Sequence, residues 1–299
     1  MAISICIATY KRPKLLAELL LSLSIQNTEG LFTFEIIVVD NDKEQSARET
    51  VQKGIKKYHG LKIVYDFEPK KNISLVRNKT ISHAKGDFIA FIDDDETAVP
   101  DWLLSHYKTI TKGDVAATLG AVRPKFQGDA PDWLVKGGFF DRPEFDEGRE
   151  ITEGRTGNAM IKRTHLKQIE GLFDPKFGLT GGEDSDLFNK IMQNGGKLVW
   201  SKNAVVYETV SQDRLNLQWL LLRSFRGGIG YGRSVLKGMN FFQQTAYLMY
   251  RFSLCFVALG VSILTLPLGL HRSVWWLRKM YANIGQIVAI SPYQYKEYG

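Results

Sequence analysis

Short apolar runs alternate with segments of helical period over the first 92 residues. The runs are rich in β-branched residues and end at polar turns, which is typical of buried strands. Strands that alternate with helices predict a parallel sheet covered by helices. The predicted strands are Ile3–Ala8, Glu35–Val39, Lys62–Tyr65 and Phe88–Ile92, and the predicted helices lie near Pro13–Gln26, Gln45–Tyr58 and Ser74–Ala84.

The pattern becomes mixed after Pro100–Thr111. A helix is predicted from Glu183 to Asn194, where two glycines stop it. Residues 125–150 are rich in loops and aromatic side chains, and we expect them to line an acceptor site. Residues 1–210 are therefore predicted to form one α/β domain. Its further strands are predicted at Val115–Val122, Gly157–Ile161 and Leu198–Tyr207.

Residues 211–299 are predicted to form a basic, helical C-terminal region. Within it, 252–270 is a run of 19 uncharged residues, close to the roughly 20 that a helix needs to cross a bilayer. Basic residues flank both ends of the run, so they do not select an orientation. Two interpretations stay open: a membrane-associating segment, or a buried helical hairpin that packs on the domain.

The net charge of +7 is concentrated in the last third of the chain, where residues 201–299 carry 11 Lys and Arg against 3 Asp and Glu. A basic region beside an apolar run suits an anionic membrane surface better than nucleic acid. The two cysteines indicate neither a disulfide framework nor a thiolate metal site. The start of the chain reads as a strand and not as a leader. We therefore expect the domain on the cytoplasmic face of the cell membrane, with no nucleic-acid partner.

Acidic residues follow the strand predicted at 88–92. Asp93 and Asp95 are two apart, a spacing that directs both carboxylates to one side of a strand. Oxygen ligands and open coordination positions favour Mn²⁺ or Mg²⁺ over zinc. The other interpretation is a solvated acidic turn. Because ligands bind beyond the carboxyl ends of parallel strands, we favour the metal site.

A second acidic group follows two glycines, at Gly182-Glu183-Asp184. A group transfer to a hydroxyl needs one general base, separate from the metal pair, that takes the proton of that hydroxyl. Asp184 is our candidate for that base. The other interpretation is an ordinary capped helix start, with acidic residues in the first turn.

The ordered set of these motifs resembles glycosyltransferase family 2. The resemblance extends over residues 1 to about 210 and is carried by Ile3–Pro13, Val38–Asp42, Asn72–Asn78, Lys85–Asp95 and Gly182-Glu-Asp. It implies a GT-A fold, which is a Rossmann-like, nucleotide-binding mixed sheet with helices on both faces. It also implies a UDP-sugar donor.

The resemblance further implies the role of each site residue. Thr9, Tyr10 and Asp40 would cradle the uracil and ribose, and Arg77 and Asn78 would close the nucleotide pocket. Asp93 would bind the ribose or the metal, Asp94 the nucleotide-sugar, and Asp95 the metal. Asp184 would be the base, with Glu183 orienting the acceptor or supporting the base.

A finer resemblance lies in Arg223-Ser-Phe-Arg226-Gly-Gly, which is similar to bacterial exopolysaccharide glucosyltransferases of the succinoglycan type. These enzymes act on lipid-linked glycans at the cytoplasmic membrane. Arg223 and Arg226 share one helix face and could clamp the diphosphate or a lipid phosphate, or else face the membrane. A Gln-x-x-Arg-Trp motif, typical of processive synthases, is absent. We therefore expect transfer of a single hexose, with glucose as the leading candidate.

Other functions fit the sequence less well. The glycines at 227–232 follow no predicted strand, so a dinucleotide-binding oxidoreductase is rejected. The five histidines have no metal-ligand spacing. A nucleotidyltransferase would use the same sheet and metal but would normally place a glycine-rich phosphate loop after its first strand. A catalytically inactive, membrane-docked glycan-binding module is the third alternative.

Overall fold

The computed structural model describes residues 1–291, and the chain divides into two compact units. The first unit comprises residues 1–124 and 142–209. The second comprises, among the described residues, 125–141 and 210–291. The aromatic segment 125–141 therefore groups with the C-terminal helices, although its sequence position lies inside the predicted 1–210 domain.

The first half of the central sheet is parallel. Strand β1 pairs with β2 on one side and β4 on the other, and β3 pairs with β2. Three helices connect these strands, as the alternating pattern predicts. The elements are β1 (Ala2–Thr9), α1 (Pro13–Ser24), β2 (Thr33–Asp40), α2 (Arg48–Lys57), β3 (Lys62–Phe67), α3 (Ile73–His83) and β4 (Phe88–Ile92).

The second half of the sheet contains antiparallel pairs. Its elements are β5 (Glu96–Ala98), α4 (Trp102–Ile110), β6 (Ala117–Phe126), α5 (Asp132–Lys136), β7 (Glu150–Ile151), β8 (Asn158–Lys162), α6 (Arg163–Leu166), α7 (Glu183–Gln193) and β9 (Leu198–Val210). Over the described residues the strand order is β3-β2-β1-β4-β8-β6-β9-β5, with β7 on β9. Strand β8 runs antiparallel to both β4 and β6. The sheet is therefore mixed, as predicted.

Alternating side chains bury both faces of the sheet in the first unit. Ile3, Ile5 and Ile7 of β1 belong to one apolar cluster with side chains of α1, α2 and α4. Cys6 of the same strand belongs to a second cluster, with side chains of α3 and α7. This period of two is expected of strands covered on both faces.

A buried amide joins distant parts of the second half-sheet. The Asn158 side chain donates to the carbonyls of Ala121 and Ala204, at 2.9 and 2.7 Å. Its oxygen lies 2.8 Å from both the Trp102 indole nitrogen and Nε2 of His106. Burial lowers the pKa of His106 to about 4, against an ordinary value of 6.5. His106 is therefore a neutral structural residue.

Three long helices dominate the second unit: α8 (Leu217–Leu236), α9 (Phe241–Thr265) and α10 (Leu270–Val288). Helices α8 and α10 approach at backbone distance, since a Cβ added to Gly228 would lie 2.1 Å from the carbonyl oxygen of Ala282. Glycines four apart allow such close packing between apolar helices. Gly228 and Gly232 thus form a helix-packing surface, and the glycine run lies within a helix and is not a phosphate loop.

Helices α9 and α10 form an antiparallel hairpin whose turn contains residues 266–269. Hydrogen bonds near the turn join Ser262 to Ser273, and others near the open end join Tyr247 to Gln286. The segment Phe241–Leu268 is long and apolar enough to cross a membrane, with a mean hydropathy of 1.8, yet only 11% of its most apolar window is buried. The segment therefore is part of a helical hairpin, but it is not buried, because α9 keeps a large exposed apolar surface.

Candidate functional site

The polar residues at the carboxyl ends of the parallel strands meet in the first unit. Thr9, the last residue of β1, donates its hydroxyl to Oδ2 of Asp94, 2.8 Å away and 85 residues later in the chain. The next backbone N–H, at Tyr10, approaches the same oxygen at 3.4 Å. Parallel pairing of β1 with β4 brings these residues together. The structure thus places Thr9, Tyr10 and Asp94 at one location.

Arg12 lies across the acidic cluster, and the sequence motifs did not identify it. Its Nη1 donates to Oδ1 of Asp94 at 2.8 Å and to Oδ2 of Asp95 at 2.9 Å. The two carboxylates outweigh the opposing effect of burial and raise the pKa of Arg12. The sequence does contain a signal for Arg12: it is a basic residue in the short loop between the first strand and the first helix, which lies at the carboxyl ends of the strands. Arg12 therefore acts as a cation shared by two of the three aspartates.

Asp93, Asp94 and Asp95 lie in the turn between β4 and β5 and not on a strand. The alternation argument for pairing Asp93 with Asp95 therefore does not apply, and Asp95 shares Arg12 with Asp94 instead. Burial, opposed by Arg12 and reinforced by the neighbouring carboxylates, raises the pKa of Asp95 to about 7. The charge of Arg12 therefore does not offset the burial of Asp95 beside other carboxylates.

Arg77 connects the acidic turn to helix α7. One guanidinium nitrogen pairs with Oε1 of Glu183, and the other lies 3.5 Å from Oδ1 of Asp93. Glu183 is buried, and burial raises its pKa against the effect of Arg77. Gly182 precedes it with a φ of 101°, a left-handed conformation that glycine adopts without strain. This turn delivers Glu183 to Arg77.

Asp184 differs from its neighbour. It is half-buried, and its Oδ1 accepts the backbone N–H of Ser185 at 2.8 Å. Residues 1–291 contain no ion pair to this carboxylate. Glu183 is therefore neutralised by an arginine while Asp184, one residue later, retains an accessible carboxylate.

Two predicted nucleotide contacts already have structural roles. The carboxylate of Asp40 accepts the backbone N–H groups of Asp42 and Ala47, at 2.9 and 2.8 Å. The Asn78 side chain bonds both backbone groups of Phe173, at 2.8 and 3.1 Å. These side chains shape the loops around the site, and their contacts with a nucleotide stay predictions.

The remaining predicted residues are found in different surroundings. The Tyr10 ring is exposed, with the Lys71 ammonium 4.9 Å from its centroid. Arg223 and Arg226 lie on α8 in the second unit. The Arg223 guanidinium lies over the Trp219 ring, 5.2 Å from its centroid. Their binding of a diphosphate or lipid phosphate stays a prediction.

The donor set suits a hard divalent cation completed by a ligand. Within residues 1–291, no group of three or more His, Cys, Asp and Glu is arranged to hold a metal alone. Mg²⁺ and Mn²⁺ in phosphate-binding sites need only one or two carboxylates, because the substrate supplies further oxygens. Glu96 adds a buried carboxylate oxygen with no hydrogen-bond partner. Asp93 and Asp95 with Glu96 nearby therefore fit such an ion.

Comparison with known proteins decides the family. Residues 4–170 match the family described as Glycosyl transferase family 2. The chain belongs to glycosyltransferase family 2. Residues 140–210 additionally match a family described as the N-terminal domain of galactosyltransferase.

Three individual proteins illustrate the similarity of this family 2 chain. Succinoglycan biosynthesis protein ExoM of Rhizobium meliloti is 39% identical over 77% of the chain and 74% of ExoM. The mannosyltransferase PcManGT of Pyrobaculum calidifontis, solved with GDP-Man and Mn²⁺, has a TM-score of 0.65 and 17% identity over 96% of the chain and 86% of PcManGT. S. aureus TarS 1–349 with UDP-GlcNAc has a TM-score of 0.52 and 19% identity over 76% of the chain and 66% of TarS 1–349.

These comparisons confirm the predicted GT-A fold and the prediction that this family 2 member is an enzyme, a hexosyltransferase. The nucleotidyltransferase and inactive-module alternatives are therefore set aside. The two solved structures hold nucleotide-sugars, and PcManGT also holds Mn²⁺. At this level of identity they establish the fold of this chain and not its ligands.

Proposed function

We propose that this enzyme transfers a single hexose from a UDP-sugar to a lipid-linked glycan acceptor, with inversion and with help from Mn²⁺ or Mg²⁺. Glucose is the first donor sugar to test. We place the reaction in exopolysaccharide biosynthesis at the cytoplasmic face of the cell membrane. The name of ExoM supports the pathway, and UDP-GlcNAc in TarS supports the donor class.

One observation carries the proposal: Arg77 links the acidic turn to the start of α7. Its guanidinium approaches Asp93 on one side and Glu183 on the other. Donor phosphates bound at the turn would therefore lie close to a carboxylate positioned for the acceptor. Bringing both substrates to one place supplies a large part of the rate enhancement of a transfer reaction.

Asp184 is the proposed general base. Its carboxylate takes the proton from the acceptor hydroxyl as the hydroxyl oxygen attacks the anomeric carbon. The bond from that carbon to the UDP oxygen breaks on the opposite face, which inverts the configuration. Since Arg77 occupies Glu183 and leaves Asp184 accessible, the two acidic residues support different roles. Glu183 would position the segment that holds the base.

Asp93 and Asp95 would hold the divalent cation, with Asp94 and Thr9 fixing the turn. When bound, the ion would stabilise negative charge on the departing UDP. Arg12 is within hydrogen-bond distance of Asp94 and Asp95 and would balance part of their charge when no cation is bound. Burial and the neighbouring carboxylates raise the pKa of Asp95, and a bound cation would favour its ionised form.

Membrane association is supported by the second unit. Helix α9 exposes large apolar side chains, among them Phe242, Phe256 and Leu264. Helices α9 and α10 contain no Asp or Glu. An exposed apolar surface with basic neighbours is typical of a protein that binds an anionic membrane.

Calorimetry with a panel of UDP-sugars, with and without Mn²⁺, tests the donor and metal assignments. We expect binding of one UDP-hexose to require Mn²⁺ and to be lost in Asp95→Asn. Asp101→Asn, at a remote surface, is the matched control. Binding that is equal with and without the metal would reject the metal assignment, and binding of GDP-sugars alone would reject the donor assignment.

A further inference from the structure

A cavity of about 300 Å³ opens beside the turn of the α9–α10 hairpin. Its apolar wall includes Leu268 and the two indole rings of Trp275 and Trp276. Its polar wall includes Lys136 from α5 with His271 and Arg272 from α10. All of these residues belong to the second unit. The cavity thus combines basic side chains with aromatic rings, and the sequence motifs did not reveal it.

The charges around this cavity favour an anion. Lys136 has one acidic neighbour, Asp132, at 3.5 Å, and both side chains are largely exposed, so the pairing is weak. Helix α10 contains no acidic residue that would compete for Arg272. Lys279, about two turns after Arg272 on the same helix, lies 3.8 Å from the centroid of the Trp275 ring. Arginine and lysine bind phosphate oxygens strongly, and tryptophan is enriched at the level of lipid headgroups.

The surroundings identify which kind of anion fits. The chain around the hairpin turn exposes Ile263, Leu264, Leu266, Leu268 and Leu270, the second of these by 76%. A soluble anion would make no use of this apolar surface, whereas a lipid would cover it with acyl chains while its headgroup reaches the basic side chains. A lipid would therefore contact both the apolar surface around the hairpin turn and the basic side chains of the cavity.

We propose that this cavity binds the phosphate of an anionic phospholipid while residues 263–270 lie among the acyl chains. The inference rests on the membrane association advanced under Proposed function and adds to it a specific headgroup site. The cavity would hold the hairpin turn at a defined depth in one leaflet.

The pairing of the two helices supports shallow insertion. Cys255 lies opposite Met280, and Arg251 opposite Asn283, so α10 follows α9 along most of its length. If α9 crossed the bilayer, Arg278 and Lys279 would enter the hydrocarbon with it. Charged side chains are rarely tolerated there. A hairpin that lies in the interface keeps them at headgroup level.

Vesicle flotation of the full chain tests the proposal. We would compare vesicles of phosphatidylcholine with phosphatidylglycerol against vesicles of phosphatidylcholine with oleate at matched surface charge. The wild type should prefer phosphatidylglycerol. Lys136→Gln/Arg272→Gln should bind these vesicles about 30-fold more weakly, as expected for two basic residues near an anionic surface. The double variant should also lose the preference over oleate.

Lys125→Gln/Lys237→Gln is the matched control, because it removes the same charge from exposed positions of the same unit that do not line the cavity. Its binding should fall threefold or less. An equal loss in both double variants would overturn the site and leave only diffuse attraction. All variants should keep the wild-type melting temperature, since the substituted side chains are exposed.

Three further outcomes separate the remaining possibilities. Excess inorganic phosphate should not displace the protein from phosphatidylglycerol vesicles, and complete displacement would overturn the lipid assignment in favour of a soluble anion site. Absence of binding to every vesicle would reject both the site and the proposed membrane association. Retention on all vesicles, with no effect of the Lys136/Arg272 changes, would reject the headgroup site alone.

Discussion

The two compact units hold their charged side chains in opposite ways. In the sheet unit, Asp94, Asp95 and Glu183 are buried and pair with two arginines, Arg12 and Arg77. In the helical unit, α9 and α10 carry only basic charges, several of which lie over aromatic rings near the surface. The buried carboxylates of the first unit therefore depend on charged partners. In the second unit, α8 and α10 depend instead on the close approach of their backbones.

The largest effect should come from the sheet unit, where we place the chemistry. We expect Asp184→Asn to reduce the rate of transfer by about 10²- to 10⁴-fold, the usual contribution of a general base. Binding of the UDP-sugar should be unchanged. Asp186→Asn, in the same helical turn but ion-paired with Lys190 at 2.8 Å, is the control and should remain active. Single-turnover kinetics would measure both, and an active Asp184→Asn variant would refute the assignment.

Removing one member of a buried ion pair tests the first half of the comparison. Arg77→Met leaves the Glu183 carboxylate buried without its partner, which should lower the free energy of unfolding by about 3–5 kcal/mol. Arg77→Met/Glu183→Leu should recover most of that loss. Lys279→Met, on an aromatic surface of the helical unit, should cost about 1 kcal/mol or less. Urea unfolding followed by circular dichroism would show whether the units differ in this way.

Acid should weaken the sheet unit through His106. Because its pKa is about 4 in the folded protein and 6.5 in its ordinary state, the unfolded chain binds the proton first as the pH falls. The contribution of His106 to the free energy of unfolding should therefore decrease by on the order of 3 kcal/mol between about pH 6.5 and pH 4. Carboxyl groups such as Asp95, whose pKa is raised in the folded protein, contribute with the opposite sign, so the wild type is compared with His106→Gln at each pH. His106→Gln should lack this component. Identical pH profiles for the two proteins would contradict the assignment.

The smallest expected changes in the free energy of unfolding come from two glycines of the helical unit, and these changes have opposite signs. Gly228→Ala places a methyl group against the Ala282 carbonyl and should destabilise the protein by about 1–3 kcal/mol. Gly230→Ala meets nothing within 4 Å and should stabilise it by about 0.5–1 kcal/mol, because alanine favours the helix. Thermal unfolding of both variants would suffice. Equal shifts would mean that α8 and α10 do not approach so closely.

The parallel half of the sheet and the acidic turn could be predicted because their signals are local. Apolar runs, strand ends and the Glu183-Asp184 pair are all visible within short stretches of sequence. Arg12 was missed because its partners lie more than 80 residues away. The pairing of Asp94 with Thr9 was missed for the same reason, because the two residues are 85 apart in the chain. Strand alternation gave no help either, since Asp94 lies in a turn.

The glycine run and the hairpin were interpreted only by exclusion. Sequence alone showed that no strand precedes residues 227–232, but glycines four apart acquire a meaning only when α10 is known to lie against α8. The cavity beside the hairpin turn likewise combines residues of α5 and α10 that are far apart in the chain. Such features depend on tertiary contacts that no local pattern encodes.

The Asn158 amide has a consequence for the order in which the chain assembles. Its four hydrogen-bond partners lie 37 to 56 residues away, before and after it in sequence. Because all four partners must be in place before the amide is satisfied, we expect its hydrogen bonds to form late in folding. Asn158→Ala should then speed unfolding more than it slows folding.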